Sequence, residues 1–354
     1  MANQKNRNLT LDLIRYVAVA TVIGVHFFLN SEFYSLPSGG PGMAVGAFLR
    51  TQLMVCVPLF LLLTGYLNCK KVWSLSYYKG ILSFAIPYIL ASLFCCVFRA
   101  IWLDGTWSPI AWFQGIMGFY SAPYSWYIEL YIGIFLLIPF LNALWKALPS
   151  QMAKGALVLS LLFLSVAPTL NPISQHFGWQ LFPSRFDQFY PFAYYFTGCY
   201  LREYPPALKK RWYLLVDLLA VLIGGGLHII QARGTIFDYF PPTYWNGPFT
   251  YLATVCVFLF LSQCRTERLP KILQRNISFV APLSLPVFLL SWIPDQLVYP
   301  ILIQNVSTMA HRLPFILLTV PAVLTISVLL ALVVQLLDKG IQAGINACLR
   351  RARP

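Results

Sequence analysis

The stretch LTLDLIRYVAVATVIGVHFFLN, residues 9–30, decides the fold, because it is long and apolar enough to cross a membrane as one α-helix. It holds two side chains that are costly to place inside a bilayer, Arg15 and His26. Their separation is close to three full helical turns, so both side chains leave the same helix face with a rise of roughly 16 Å between them. This helix is therefore predicted to carry a fixed cation near one end and a proton-transfer group deep inside.

The composition of the whole chain predicts an integral membrane protein. Of its 354 residues, 58% are hydrophobic and only 10% are charged, which is more apolar surface than a soluble domain can bury. We predict an all-α polytopic protein with about ten transmembrane helices around a central cavity, forming a single domain over residues 1–354. The predicted helix cores are Leu11–Leu29, Ala44–Leu67, Ile81–Leu103, Trp126–Leu148, Gly155–Leu170, Phe186–Leu201, Trp212–Gln231, Pro248–Ser262, Phe279–Tyr299 and Leu313–Leu337.

The net charge of +14 is distributed as the positive-inside rule expects. If the N-terminus is cytoplasmic, 19 of the 25 lysines and arginines fall in cytoplasmic segments and five on the opposite side. This pattern predicts that both termini are cytoplasmic in a multi-pass protein of the cell membrane, and it argues against nucleic-acid binding. The eight cysteines show no C-x-x-C pairing, so we predict neither a metal site nor a disulfide framework.

His26 and Arg15 each have a structural and a functional interpretation. His26 is either a core histidine bonded to a neighbouring helix, or a neutral imidazole that accepts a proton from a hydroxyl nucleophile as a general base. A covalent acyl-imidazole is a second chemical route, and the sequence leaves both routes open. Arg15 either pairs with Asp12 one turn earlier, or holds donor phosphates with its planar guanidinium while Asp12 orients it. Asp12 is also a candidate substrate-binding residue.

The segment SWYIELYIGIFLLIPFLN, residues 125–142, offers a lone carboxylate, Glu129, about one turn inside an apolar run. Glu129 either stands in interfacial water or points into the cavity. In the cavity it would be a catalytic residue that orients the histidine, or it would bind sugar hydroxyls. Trp126 and Tyr127 beside it either belong to an aromatic belt or form a stacking platform for a sugar ring.

Two basic loops, NCKKVWSLSYYKG at residues 68–80 and QCRTERLPKILQR at residues 263–275, are mainly topology signals. Their second interpretation is a contact with donor phosphates, for which Lys70, Lys71 and Lys79 are the candidates.

Four segments, taken in order, resemble the acyltransferase-3 family of bacterial membrane acyltransferases, which modify cell-surface glycans with acetyl or other short acyl groups. They are LDLIRYVAVATVIGVHF at 11–27, VPLFLLLTGYL at 57–67, SWYIELYIGIFLLIPFLN at 125–142 and SLPVFLLSW at 284–292. The chain is most similar to the standalone type, which lacks a fused soluble hydrolase-like domain. The resemblance implies transfer from acyl-CoA on the cytoplasmic side to a sugar hydroxyl, with His26 as the catalytic residue and Arg15 as its essential companion.

The chain departs from the family pattern at two places. The family often has an R-x-x-R pair before its third helix, whereas YYKGILSFAIPY supplies only Lys79 there. A histidine often follows the late aliphatic-aromatic pair, where this chain has Ser291. No role is assigned to Ser291.

We therefore predict a membrane O-acetyltransferase, or O-acyltransferase, that uses acetyl-CoA or another acyl-CoA and no metal. Its acceptor is a hydroxyl of a cell-surface polysaccharide or of a lipid-linked glycan precursor. Other than these substrates its partner is membrane lipid, and homo-oligomerisation stays open. The competing interpretation is a transporter or flippase of a polyprenyl-linked glycan. Coupling ions usually demand several buried carboxylates, and acids inside the apolar segments are few.

Overall fold

The computed structural model describes residues 8–103, 105, 107–172 and 178–351, and every regular element in this part of the chain is a helix. In chain order the α-helices are α1 Leu9–Asn30, α2 Pro41–Leu53, α3 Cys56–Asn68, α4 Leu75–Lys79, α5 Leu82–Trp102, α6 Pro109–Met117, α7 Trp126–Ala147, α8 Gln151–Val166, α9 Tyr190–Glu203, α10 Lys210–Ala232, α11 Pro248–Ser262, α12 Lys271–Val280, α13 Ser284–Leu290, α14 Trp292–Asn305, α15 Met309–Arg312 and α16 Ile316–Arg351.

Nine stretches of the described residues are long and apolar enough to cross a membrane. They are Leu9–Asn30, Pro41–Asn68, Leu75–Trp102, Trp126–Ala147, Gln151–Leu170, Lys210–Ala232, Pro241–Ser262, Lys271–Leu290 and Met309–Ile345. The sequence predicted about ten. The predicted segment Phe186–Leu201 is not among the nine, and its helix, α9, has 14 residues. At 1.5 Å per residue α9 is about 21 Å long, shorter than a hydrocarbon core.

The opening helix α1 lies in the middle of the helix assembly. It contacts α2, α3, α11, α12, α13, α14 and α16. Side chains on one stripe, Val19, Ile23 and Phe27, are fully buried, as expected for a helix whose i, i+4 and i+8 positions face its neighbours. The side chains of α1 are therefore presented to the interior of the protein.

The predicted segment Ala44–Leu67 is two helices, α2 and α3, separated by Met54 and Val55. Pro58 has no backbone N–H and cannot donate to the carbonyl of Met54, which explains why one continuous helix ends here. In the first turn of α3 the missing donor costs nothing, because first-turn N–H groups lack intrahelical partners. Such a break inside a membrane is tolerated where it lines a cavity.

Helices α3 and α9 touch through their backbones at Gly65 and Gly198. A Cβ atom at Gly65 would overlap the carbonyl of Tyr195, and one at Gly198 would overlap the carbonyl of Leu62. Small residues of this kind let membrane helices approach closely. The contact holds α3, which lines the functional site described below, against α9.

We predict that Gly65→Ala destabilises the protein by about 1–3 kcal/mol, because the added methyl group forces the two backbones apart. The measurement is the midpoint of thermal unfolding of the purified protein in detergent. Gly226→Ala in α10 is the matched control, since a Cβ there meets open space. Equal midpoints for the two variants would contradict the close contact.

Candidate active site

His26 lies in a buried polar cluster with Tyr124 and Asp295. The imidazole stacks on the Tyr124 ring with 3.7 Å between ring centroids and 30° between planes. Its Nδ1 is 3.8 Å from Oδ2 of Asp295, and the Tyr124 hydroxyl donates a 2.7 Å hydrogen bond to the same oxygen. Asp295 is 1% exposed and lies in the first turn of α14. The cluster thus joins a base, a phenol and a carboxylate within the helix assembly.

Two polar atoms of this cluster have no hydrogen-bond partner among the described residues. They are Nδ1 of His26 and Oδ1 of Asp295, and both are buried. Buried polar groups are nearly always bonded, so an exception points to a functional role or to a group supplied from outside the chain. Hydrogen bonds between catalytic groups are often long before substrate binds. The 3.8 Å separation is therefore compatible with a working His–Asp pair.

Asn30, the last residue of α1, supports the cluster. Its Nδ2 donates to the carbonyl oxygen of His26 at 2.8 Å and to the hydroxyl of Tyr124 at 3.1 Å. These bonds connect the end of α1 to the segment before α7, while the Tyr124–Asp295 bond continues the connection to α14. Side chains from three separate parts of the chain thereby meet around the His26 imidazole, which stacks on Tyr124.

A cavity of about 340 Å³ lies beside the Arg15 end of α1 and is called here the Arg15 cavity. Its polar lining includes Arg15, Thr64, Asn68 and Ser83. Nη1 of Arg15 donates to Oδ1 of Asp12 at 2.9 Å. Arg15 side-chain exposure is 33%, whereas Asp12 is buried. The predicted ion pair with Asp12 is therefore present, and the guanidinium that it orients also lines the cavity.

A second cavity of about 450 Å³, the His26 cavity, lies at the other end of α1. His26 and Tyr124 line it together with Arg50 and two indoles, Trp126 and Trp245. The indole rings stack on each other, with centroids 4.5 Å apart and planes 23° apart. Both cavities have volumes typical of small-molecule sites.

The two cavities adjoin. Val22, Val57 and Phe288 line both of them. Val22 lies on α1 between Arg15 and His26, so the common wall is apolar and stands between the guanidinium and the imidazole. The side chains of Val22, Val57 and Phe288 thus stand between the Arg15 cavity and the cavity that His26 lines. The predicted central cavity is thus present as two compartments that meet at α1.

Glu129, which was predicted to be catalytic, does not join His26. It is exposed and lines neither cavity. Tyr127 and Ile128 of α7 face the interior, and the next residue is turned by about 100° away from them. The carboxylate beside the imidazole belongs instead to Asp295.

The three residues predicted to bind substrate lie in different places. Trp126 lines the His26 cavity, and Tyr127 lines the Arg15 cavity. Asp12 lines neither of them and contacts Arg15 instead. The predicted aromatic platform is therefore divided between the two compartments.

The lysines predicted to meet the donor are exposed and outside the cavity lining. Lys70 and Lys71 follow Asn68, which does line the Arg15 cavity, and Lys79 ends α4 one turn before Ser83. These lysines are close in sequence to residues that line the Arg15 cavity, but they do not line it themselves.

Sequence reasoning missed Asp295, Tyr124 and Arg50. Asp295 could have been found from the sequence, since it is a lone acid inside the predicted segment Phe279–Tyr299. A carboxylate inside a membrane segment is costly to bury, which is the same reason that His26 was chosen. Arg50 had the same signal, since it is a lone cation inside the predicted segment Ala44–Leu67. Tyr124 had none, because it stands where the sequence expects an interfacial aromatic. Only the packing of the helices turns them toward His26.

These features define a helical protein with nine candidate membrane-spanning helices among the residues that the structure describes, and with a site divided between two adjoining cavities. The acyltransferase domain of the acyltransferase-3 family matches residues 8–332, a range that contains both cavities and the His26–Asp295 pair. The chain therefore belongs to the acyltransferase-3 family and is an acyltransferase. Neither the curated proteins nor the solved structures contain a match to this chain. Family membership overturns the competing transporter interpretation.

Proposed function

We propose that the protein transfers an acetyl or other short acyl group from acyl-CoA in the Arg15 cavity to a glycan hydroxyl in the His26 cavity. The acceptor is a cell-surface polysaccharide or its lipid-linked precursor. One observation carries the proposal: the two cavities lie on the same helix and share the wall of Val22, Val57 and Phe288. A donor and an acceptor can then meet at His26 while their remaining parts stay in separate compartments.

The Arg15 cavity suits the donor. A guanidinium held by Asp12 can bind phosphate oxygens through two parallel hydrogen bonds. Thr64, Asn68 and Ser83 add hydroxyl and amide groups, and Lys70, Lys71 and Lys79 would attract the coenzyme's negative charge from outside the cavity. The phosphates of CoA would stay near Arg15 while the thioester passes the shared wall.

The orientation follows from the charge distribution. We place the Arg15 end of α1 and both termini in the bacterial cytoplasm, where acyl-CoA is made, with α9 as a short tenth crossing. The positive-inside rule supports this arrangement. His26 then faces an acceptor on the opposite side of the cytoplasmic membrane. Cysteine accessibility labelling that reached position 26 only from the cytoplasm would overturn this orientation.

In the general-base route, the imidazole of His26 takes the proton of the acceptor hydroxyl as its oxygen attacks the thioester carbonyl. The C–O bond forms, the C–S bond breaks, and the CoA thiolate leaves with the proton from the imidazolium. In the covalent route the imidazole attacks the carbonyl, the C–S bond breaks, and CoA leaves with a proton from the ring. The acceptor oxygen then attacks the acyl-imidazole, the N–C bond breaks, and the hydroxyl proton returns to the imidazole. Asp295 stabilises the cationic ring in either route. Because a thioester is already activated, alignment supplies much of the remaining rate.

The donor assignment makes a prediction for Arg15. Arg15→Lys keeps the charge but loses the planar fork, so we expect the KM for acetyl-CoA to rise about tenfold with a smaller change in kcat. Steady-state kinetics of the purified protein in lipid measure both constants. Lys339→Gln, a cation of α16 that lines neither cavity, is the control. An unchanged KM for acetyl-CoA would remove Arg15 from the donor site.

The experiment that tests the function is acetyl transfer from radiolabelled acetyl-CoA by the purified protein in lipid, with surface glycan as acceptor. We expect label in the glycan and free CoA in equal amounts. Mass spectrometry of surface glycan from a deletion strain should show full-length chains that lack acyl groups. Glycan chains lost altogether from the surface would contradict the proposal.

A further inference from the structure

Arg50 is a buried cation that the proposed chemistry does not use. It lies in the last turn of α2, is 1% exposed, and lines the His26 cavity. A charge at such a position is expensive unless a counter-charge compensates it. The dipole at the end of α2 supplies at most about half a charge. At least about half of the positive charge of Arg50 is therefore left for another group to balance.

The chain surrounds the guanidinium with neutral groups. Nε donates to the Tyr34 hydroxyl at 3.0 Å, and Nη1 donates to Oγ1 of Thr243 at 3.0 Å and to its carbonyl oxygen at 3.3 Å. The ring of Tyr244 lies under the guanidinium with its centroid 4.6 Å from Cζ. No carboxylate of the described residues forms an ion pair with Arg50. Nη2 of Arg50 forms no hydrogen bond of normal geometry within the described residues. Its N–H groups are therefore available to a ligand.

One acid, Asp238, lines the same cavity and could be taken for the missing counter-charge. Its side chain is exposed, and Oδ1 accepts a hydrogen bond from the backbone N–H of Tyr239 instead. Asp238 therefore leaves the guanidinium unneutralised. The carboxylate still lines the cavity and repels anions, so an anion binds beside Arg50 and away from Asp238.

The start of α3 adds a second positive feature to the same wall. α3 begins at Cys56, and its N-cap residue Val55 makes no side-chain hydrogen bond to the first turn. Met54, Cys56 and Val57 line the His26 cavity around this helix start. The first N–H groups of a helix carry a partial positive charge and bind anions. The break between α2 and α3 thus brings a helix start and a guanidinium to one cavity.

We propose that the His26 cavity takes an anionic acceptor, a glycan whose carboxylate or phosphate oxygen pairs with the Arg50 guanidinium. This rests on the proposed function, since it names the class of acceptor. The anion completes the hydrogen bonds of Arg50, the indoles Trp126 and Trp245 offer a face to the sugar ring, and the reacting hydroxyl is left to His26. A uronic acid and a polyprenyl diphosphate are two sources of such an anion.

The test is equilibrium binding to the full-length protein in lipid nanodiscs, which needs no turnover. One pair of radiolabelled probes is a uronic-acid oligosaccharide and the same oligosaccharide after carboxyl reduction. The other pair is a polyprenyl diphosphate sugar and the matching neutral polyprenyl glycoside. We expect wild-type protein to bind the charged member of one pair about ten- to hundredfold more tightly, as expected for hydrogen bonds to charged groups. The pair that shows this preference identifies the source of the anion.

Arg50→Gln should abolish the preference, and Arg50→Lys should keep part of it because the charge remains. Arg99→Gln is the matched control, since Arg99 lines neither cavity and its guanidinium lies over the ring of Trp292. Acetyl-CoA affinity at the Arg15 cavity checks that each variant is folded. Equal or undetectable binding of both members of each pair by wild-type protein overturns the proposal, as does a preference that survives in Arg50→Gln. A failure of acetyl transfer with the preference intact would instead count against the proposed function alone.

Discussion

His26→Ala is expected to lower acetyl transfer to the glycan by about 10²- to 10⁴-fold, the range typical of a lost general base. The physical reason is that the variant keeps both cavities but has no group to take the hydroxyl proton or to carry the acyl group. Because the proposed mechanism places the imidazole at the reacting centre, kcat should fall while the KM for acetyl-CoA changes little. The measurement is turnover of radiolabelled acetyl-CoA by protein in lipid.

The matched control for this variant is His311→Ala. His311 is exposed in α15, and its Nδ1 is bonded locally to the hydroxyl of Thr308 at 2.8 Å. It lines neither cavity, so its loss should leave transfer within a factor of about two. If His26→Ala consumed acetyl-CoA at the wild-type rate, His26 would not be the catalytic residue.

The same assay separates the two chemical routes. Without acceptor, the covalent route predicts one equivalent of CoA released per protein, with label retained on the wild-type chain and absent from His26→Ala. The general-base route predicts no release until acceptor is added.

Asp295→Asn is expected to lower kcat by about hundredfold. The substitution keeps the size of the side chain and an oxygen that can accept the Tyr124 hydrogen bond, but it removes the charge that stabilises an imidazolium 3.8 Å away. A neutral amide in the position of a triad carboxylate is known to be severely damaging in hydrolases that pair a base with an acid. Acyl transfer and acetyl-CoA binding are measured side by side.

Asp217→Asn provides the control for a partly buried acid elsewhere. Asp217 lies on α10, near the side-chain amide of Gln52 at 3.4 Å, and outside both cavities. Its loss should leave kcat unchanged. If Asp295→Asn behaved in the same way, Asp295 would be a structural acid and the charge pair with His26 would have no part in catalysis.

The double variant of His26 and Asp295 adds a check on their coupling. If Asp295 acts only through the imidazole, its substitution should cost little once His26 is already alanine, because residues that act as a unit are not additive. If the fold losses in kcat of the two single variants multiply in the double variant, Asp295 does not act through the imidazole.

The local features of the chain were predictable because they depend on neighbouring residues alone. The predicted core Leu11–Leu29 lies within one helix, Leu9–Asn30. Its apolar run determines its length, and the separation of Arg15 from His26 determines that both side chains reach the interior cavities. Asn8 begins the helix by accepting hydrogen bonds from the N–H groups of Thr10 and Leu11, a cap of the expected residue type.

Features that depend on how helices rotate and end were not predictable. Glu129 and Asp295 are both lone acids in apolar segments, and the sequence offers no way to tell which one meets His26. The rotation of α7 about its axis turns Glu129 outward, and that rotation is set by packing against neighbours. The break before α3 depended on Pro58, whose presence alone does not say whether a membrane helix bends or ends.

The amino-acid sequence by itself determined the membrane character, the helical architecture, and the presence of a guanidinium and an imidazole on one helix face. These follow from hydropathy and from the fixed geometry of a helix, which are local properties. The tertiary structure alone decided that the interior is divided into two adjoining cavities, that Asp295 is the carboxylate beside His26, and that Arg50 is a buried cation in the same cavity. These contacts join residues far apart in the chain, so they exist only once the helices have packed against one another.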